Sequence, residues 1–187
     1  FKRAQSWIVC LLYTGTFVSF IGYSAAFPLL AKMQFPHVDS LKLVFLGPLV
    51  GALSRSATGR LSDRYGGRRV TLWVFALMIV AVLGVIYCLG IKDQPSAFYG
   101  YFATFMLLFF ATGVGNASTF QMIPAIMRAE MPRLSPGAGP AAQQKQAEME
   151  SAAIIGFTSA VAAYGAFFIP KAYGTSIALT GGTQAAL

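Results

Sequence analysis

Acidic side chains are scarce in this sequence: six Asp and Glu stand against fourteen Lys and Arg in 187 residues. Charge of either sign is thin, at 11% of residues against 56% hydrophobic, and mean hydropathy is +0.63. A soluble domain of this size needs far more polar surface to cover its core, so that class is excluded. Side chains that form bonds to metals or to each other are few as well. Cys10 and Cys88 lie inside apolar runs and read as small apolar filler, indicating neither a disulfide nor a metal site. His37 stands alone in a short polar loop without a second ligand. No paired carboxylates and no Ser–His arrangement are seen, so an intramembrane enzyme is the weakest reading and no cofactor is expected. A net charge of +8 suggests nucleic acid in a soluble protein, but here the cations cluster between apolar runs, and no nucleic-acid partner is expected.

What the chain has in abundance is long apolar runs. About 20 mostly apolar residues span a bilayer as a helix, and the expected spans are 7–31, 43–61, 70–91, 97–127 and 151–170. The fold class is therefore an all-α membrane protein with five transmembrane helices. The second span is the weakest, because it contains Arg55 and Arg60. The connection RAEMPRLSPGAGPAAQQKQAEME, Arg128 to Glu150, reads as a flexible loop from its Pro, Gly and Gln content. The sequence opens FKRAQSW without an initiator Met, and its first apolar run is too long for a signal-peptide core, which suggests part of a larger chain.

Basic residues orient the spans. With the N-terminus cytoplasmic, Lys2, Arg3, Arg60, Arg64, Arg68, Arg69, Arg128, Arg133 and Lys145 fall inside, and Lys32, Lys42, Lys92 and Lys171 outside. This asymmetry agrees with the excess of cytoplasmic Lys and Arg in membrane proteins. Residues 62–69 and 128–150 are then cytoplasmic loops. Arg55 belongs to neither side, and no span interior holds a carboxylate.

A charge at the bilayer centre costs about 2.5–3.5 kcal/mol or more. Arg55 lies eight residues before Asp63, about 12 Å along a helix axis. Snorkelling toward the interface is one reading. The other is a cavity, favoured by small neighbours: Gly47, Gly51, Ser54, Ser56, Ala57, Thr58 and Gly59 leave room for close helix approach or for a ligand. In a cavity the counter-charge has to come from outside this chain or from a substrate. A planar, permanently protonated guanidinium with paired donors suits a planar oxyanion.

The motif GRLSDRYGGRRV, Gly59 to Val70, follows. Asp63 sits at the unfavourable negative end of its helix dipole and is expected to pair with Arg64, Arg68 or a neighbouring helix N-terminus. Gly66 and Gly67 permit a tight turn. The pattern Gly-x-Leu-Ser-Asp-Arg-x-Gly-Gly-Arg-Arg resembles the signature loop between the second and third helices of each half of the major facilitator superfamily. The resemblance implies that Gly59, Asp63, Arg64, Gly66, Gly67 and Arg68 form a cytoplasmic gating loop.

A wider resemblance covers almost the whole chain. YTGTFVSFIGYSAAFPLL, FLGPLVGALSRSATGRLSDRYGGRRVTL, GNASTFQMI and GFTSAVAAYGAFFIPKAYG resemble the C-terminal half of bacterial nitrate/nitrite porters of the NarK type. It implies that residues 1–187 are a partial C-terminal six-helix bundle, family helices seven to eleven, whose N-terminal half is missing. It implies nitrate and nitrite as substrates, exchanged across the bacterial inner membrane by alternating access. By this likeness Arg55 binds the anion's oxygens, with Tyr13 and Phe17 at the same site. Read on their own, Tyr13 and Phe17 share a helix face at i, i+4 and serve equally well as packing aromatics. The likeness also assigns Gly156 and Ser159 to the site, as close backbone approach and hydroxyl donor. Ala162 and Ala166 depart from positions often glycine there, leaving rate and nitrate-versus-nitrite preference open. Two other readings stand beside this one: a proton-coupled facilitator of another small or organic anion, and a non-transporting membrane fragment.

Overall fold

The computed structural model describes residues 4–36, 40–58, 64–91, 94 and 96–180. Among them are five long helices: α1 (Ala4–Gln34), α2 (Leu46–Ala57), α3 (Gly67–Gly90), α4 (Ala97–Leu134) and α5 (Pro140–Thr180). A short 3₁₀ turn, Ser40–Leu43, precedes α2. Three helices are long and apolar enough to cross a membrane: Trp7–Gln34, Gly67–Gly90 and Ala97–Leu134. The second expected span is seen as α2 up to Ala57, with Gly59 to Leu61 outside the described residues. The fifth lies within α5.

The central element is α4, which packs against all four of the others. Its residues Ala111 to Thr119 are all buried. Alanine, glycine, serine and threonine there let neighbouring backbones come close, which is how helices associate without a hydrophobic drive between them. Hydroxyls in this stretch are satisfied locally: Thr112 Oγ1 donates to Leu108 O at 2.9 Å and Thr119 Oγ1 to Gly115 O at 2.8 Å.

Contacts between α1 and α4 run in opposite directions along the two chains, so these helices are antiparallel. Phe35 meets Phe98 with ring centroids 5.5 Å apart, Phe27 meets Phe105 at 5.2 Å, and Tyr13 meets Phe120 at 5.1 Å. Tyr101 buries its ring in this layer and donates its hydroxyl to Phe27 O at 2.9 Å. A separate cluster of Val9, Ile123, Met127, Met131, Ala147 and Ile154 closes the other end. That end ties α5 to α1 and α4.

The connection from Arg128 to Glu150 departs from the expected flexible loop. Helix α4 continues to Leu134 and α5 begins at Pro140, leaving only residues 135–139 between them. Proline at the first position of a helix loses no hydrogen bond, because that N–H has no partner in any case. Ala, Gln, Lys, Glu and Met then propagate the helix, with Gln144 Nε2 reaching Glu148 at 3.2 Å, one turn on. Gln143 Nε2 donates to Ser135 O at 2.8 Å and pins the turn to α5.

Gly66 opens α3 with φ 81° and ψ 131°, a conformation that side chains disfavour. Replacing it by alanine is expected to cost about 1–3 kcal/mol, measured as a lower melting temperature of the detergent-purified protein. An unchanged melting temperature would show that the backbone relaxes there freely.

Candidate functional site

Arg55 occupies the last turn of α2. Its placement is set one residue earlier, by Ser54. That side chain is 6% exposed, and its Oγ donates to Gly51 O at 2.9 Å and to Phe110 O of α4 at 3.2 Å. The two helices touch backbone to side chain here. A Cβ built on Gly113 would collide with Ser54 Oγ and Gly51 O, and one on Gly51 would collide with the Phe20 ring. The small residues that the sequence places around Arg55 therefore bring helices together.

The guanidinium of Arg55 lies over the Phe120 ring, with Cζ 5.7 Å from the centroid. Arg55 forms no ion pair with a carboxylate among the described residues, and its side chain is exposed. This chain alone does not bury it. The ring sets its position along α4: Phe120 lies eight residues before Arg128, about 12 Å along the axis. A ring face attracts a cation by about 0.5–1 kcal/mol at exposed sites and about 2 when desolvated.

Phe120 joins Arg55 to α1. Tyr13, 2% exposed, tilts at 59° to Phe120 and stacks on Phe17 at 5.7 Å. Of the five expected substrate residues, Arg55 and Tyr13 thus meet on Phe120, which is not among them, and Phe17 joins through Tyr13. The α1 side of this cluster is held by Thr16, whose Oγ1 donates to Asn116 Oδ1 at 2.8 Å and lies 3.0 Å from Tyr13 O. Asn116 is 2% exposed, one turn before Phe120. An asparagine within an apolar run, and the motif GNASTFQMI that contains it, are the signals that point to this part of α4.

Gly156 and Ser159 belong to α5. Helix α5 packs on α1 and α4, and the Trp7–Phe157 ring contact at 6.1 Å sets this segment beside the start of α1. Gly156 has open space where a Cβ would stand, with nothing within 4 Å, and Ser159 is half-buried. The described contacts do not bring either to Arg55. Ala162 is fully buried, so the methyl that replaces an expected glycine hydrogen is packed within the bundle. Of Ala166 only the helical backbone is described.

In the expected gating loop, Gly59 and Asp63 lie outside the described residues, and so does the pairing expected of Asp63. Arg64 lies over the Tyr65 ring at 5.6 Å. Gly67 abuts Met122 of α4, so α3 starts in contact with the central helix. Arg68 is exposed and borders a cleft of about 810 Å³ between α1, α3 and α4, with Glu130 and Arg133 at its rim. Arg55 does not line this cleft. Among the described residues no group of three or more His, Cys, Asp and Glu is placed to hold a metal ion.

Comparison with known proteins adds to this geometry. A family model described as Major Facilitator Superfamily matches residues 1–143. The chain is 47% identical over 191 residues to "Nitrate/nitrite transporter NarU" of Salmonella typhimurium, and 44% over 189 to the protein of that name in Escherichia coli. Each alignment covers 100% of this chain and 40% of the relative. It is 37% identical over 193 residues to "Probable nitrate/nitrite antiporter NarK2" of Thermus thermophilus, covering 99% of this chain and 38% of that one. The chain therefore spans about two fifths of the length of these curated relatives.

Proposed function

The chain belongs to the Major Facilitator Superfamily, and we propose that it is the C-terminal part of a transporter that exchanges nitrate and nitrite across a bacterial inner membrane. The observation that carries this reading is Arg55: a guanidinium over an aromatic ring, with no carboxylate paired to it among the described residues. Such a group is free to take a planar oxyanion through two parallel N–H donors. The relatives' names supply the substrates, and their greater length supplies the second bundle that encloses Arg55. All five helices span in this reading, with the N-terminus of the described segment cytoplasmic and residues 62–69 and 128–150 on that side.

Exchange follows from charge. In facilitators two helix bundles rock about a midplane site. With a second arginine in the other bundle, one bound monovalent anion leaves surplus positive charge at the site, and no anion leaves more. Reorientation without an anion exposes that charge to low dielectric and is strongly disfavoured. Nitrate entering and nitrite leaving are then steps of one cycle. No acid lies beside the site to carry a proton, among the described residues. Gly59, Asp63, Arg64, Gly66, Gly67 and Arg68 gate the cycle from the cytoplasmic face, and Gly156 and Ser159 contribute to the anion's surroundings from α5.

The complete transporter in nitrite-loaded proteoliposomes is expected to take up labelled nitrate, at a rate unaffected by a pH gradient. Uptake into anion-free vesicles driven by an inward proton gradient would instead favour a proton-coupled anion carrier. No uptake under either condition would favour a non-transporting fragment.

A further inference from the structure

We propose that Phe120 is the positioning residue for Arg55. Its ring face holds the guanidinium level with Tyr13 and Phe17 until an oxyanion takes it over. The inference rests on the anion-exchange reading above for its transport consequences, but not for its geometry.

The ring is well placed and firmly held. Arg55 Cζ stands 5.7 Å from its centroid, and Tyr13 packs against it at 5.1 Å. One turn earlier on α4, Asn116 is bonded to Thr16 of α1 at 2.8 Å. Further along, Ser54 of α2 bonds to Phe110 O at 3.2 Å. Three helices are thus fixed relative to each other around this one side chain. Arg55 itself hangs on a long flexible stem at the end of α2, and among the described residues its head rests on the Phe120 ring.

The chemistry of the pair suits a site that must both keep and release a cation. A carboxylate in place of Phe120 would make charge-assisted hydrogen bonds and compete with the substrate for the same donors. A ring makes no such bonds and attracts through its quadrupole. It leaves all five guanidinium N–H donors available to an anion while keeping the head from wandering toward the basic interface. An aromatic residue, and not merely an apolar one, is required.

That requirement separates positioning from packing. Phe120→Leu keeps apolar bulk and loses the ring face, whereas Phe120→Trp keeps a ring face and overfills the space. A packing role predicts that leucine is tolerated and tryptophan is not. The positioning role predicts the reverse order: in exchange assays leucine raises KM for nitrate about five- to tenfold with a smaller change in kcat, and tryptophan stays near the wild type. A second readout is independent of transport. In the detergent-purified transporter, phenylglyoxal modification of Arg55, followed by peptide mass, is expected to be several-fold faster in the leucine variant than in the wild type or the tryptophan variant. Equal modification rates in all three would overturn the inference, whatever the substrate proves to be. Loss of nitrate exchange by the wild type with the rate order intact would overturn the substrate reading and leave the positioning role standing.

Discussion

Arg55→Lys is expected to lower nitrate/nitrite exchange in proteoliposomes by about 10- to 100-fold, although it preserves the charge. Lysine offers an ammonium point charge on a flexible stem in place of a planar fork, so one of two parallel charge-assisted hydrogen bonds to the oxyanion is lost. Hydrogen bonds to charged groups contribute about 1.5–3 kcal/mol, and 1.4 kcal/mol is about a factor of ten in affinity. Lysine also loses the guanidinium's contact with the Phe120 ring. Arg55→Ala removes the charge as well, and its exchange should fall to the background of empty vesicles. Both variants should keep the wild-type melting temperature, since the guanidinium is exposed and holds no helix in place. Exchange by the lysine variant at the wild-type rate would show that charge alone suffices and that the two-pronged contact is not used.

Gly113→Ala is expected to be the most damaging single methyl in the bundle. The added carbon would meet Gly51 O and Ser54 Oγ, and a backbone carbonyl has no rotamer by which to move aside. The helices must separate instead. Overpacking of this kind costs about 1–3 kcal/mol, and here the unfavourable term falls on the contact that positions α2. The Ser54–Phe110 bond, already 3.2 Å long, would be the first lost. We expect a lower melting temperature together with a fall in exchange on the order of tenfold, because displacement of a binding group by about 1 Å can cost two orders of magnitude. Gly137→Ala is the comparison: a Cβ there meets nothing within 4 Å, and stability should not change. Equal stability of the two variants would mean that α2 and α4 can part without penalty.

The sequence reveals the outline of the fold because span-forming runs are long and the rule for them is simple. Apolar residues from Trp7 onward, from Val70 and from Ala97 become helices because a lipid-facing backbone has no other way to satisfy its hydrogen bonds. The turn at Gly66 is legible too, since two adjacent glycines between charged residues mark one. The stretch from Arg128 to Glu150 is not. Its Pro, Gly and Gln content suggests a loop, but the helix breakers are concentrated at residues 135–140, and Ala, Gln and Glu beyond them propagate a helix as well as any residues do. Where the breakers fall matters more there than how many there are.

The site divides in the same way. Arg55 is legible because a lone cation in an apolar run is costly. Tyr13 and Phe17 are legible only through likeness to a family. Phe120 is one of 16 phenylalanines, and no local pattern distinguishes the one that faces a guanidinium from those that fill the aromatic layer around Phe27. Its role arises from the crossing of α1, α2 and α4, which is a property of three dimensions. Gly156 and Ser159 lie on a small-residue face that is easy to see in sequence, and the ring contact of Phe157 seats that face beside Trp7.

The short turn between α4 and α5 has a mechanical meaning. Helices of 38 and 41 residues reach roughly 57 and 62 Å, well beyond a hydrocarbon layer of about 30 Å, and the bend that joins them is cross-tied by Gln143. The two form one hairpin, and its first arm carries Pro124 and Pro132 between the tip and Phe120, each of which interrupts the backbone ladder of a helix. A push on that tip is therefore met by two bendable joints before it reaches Phe120.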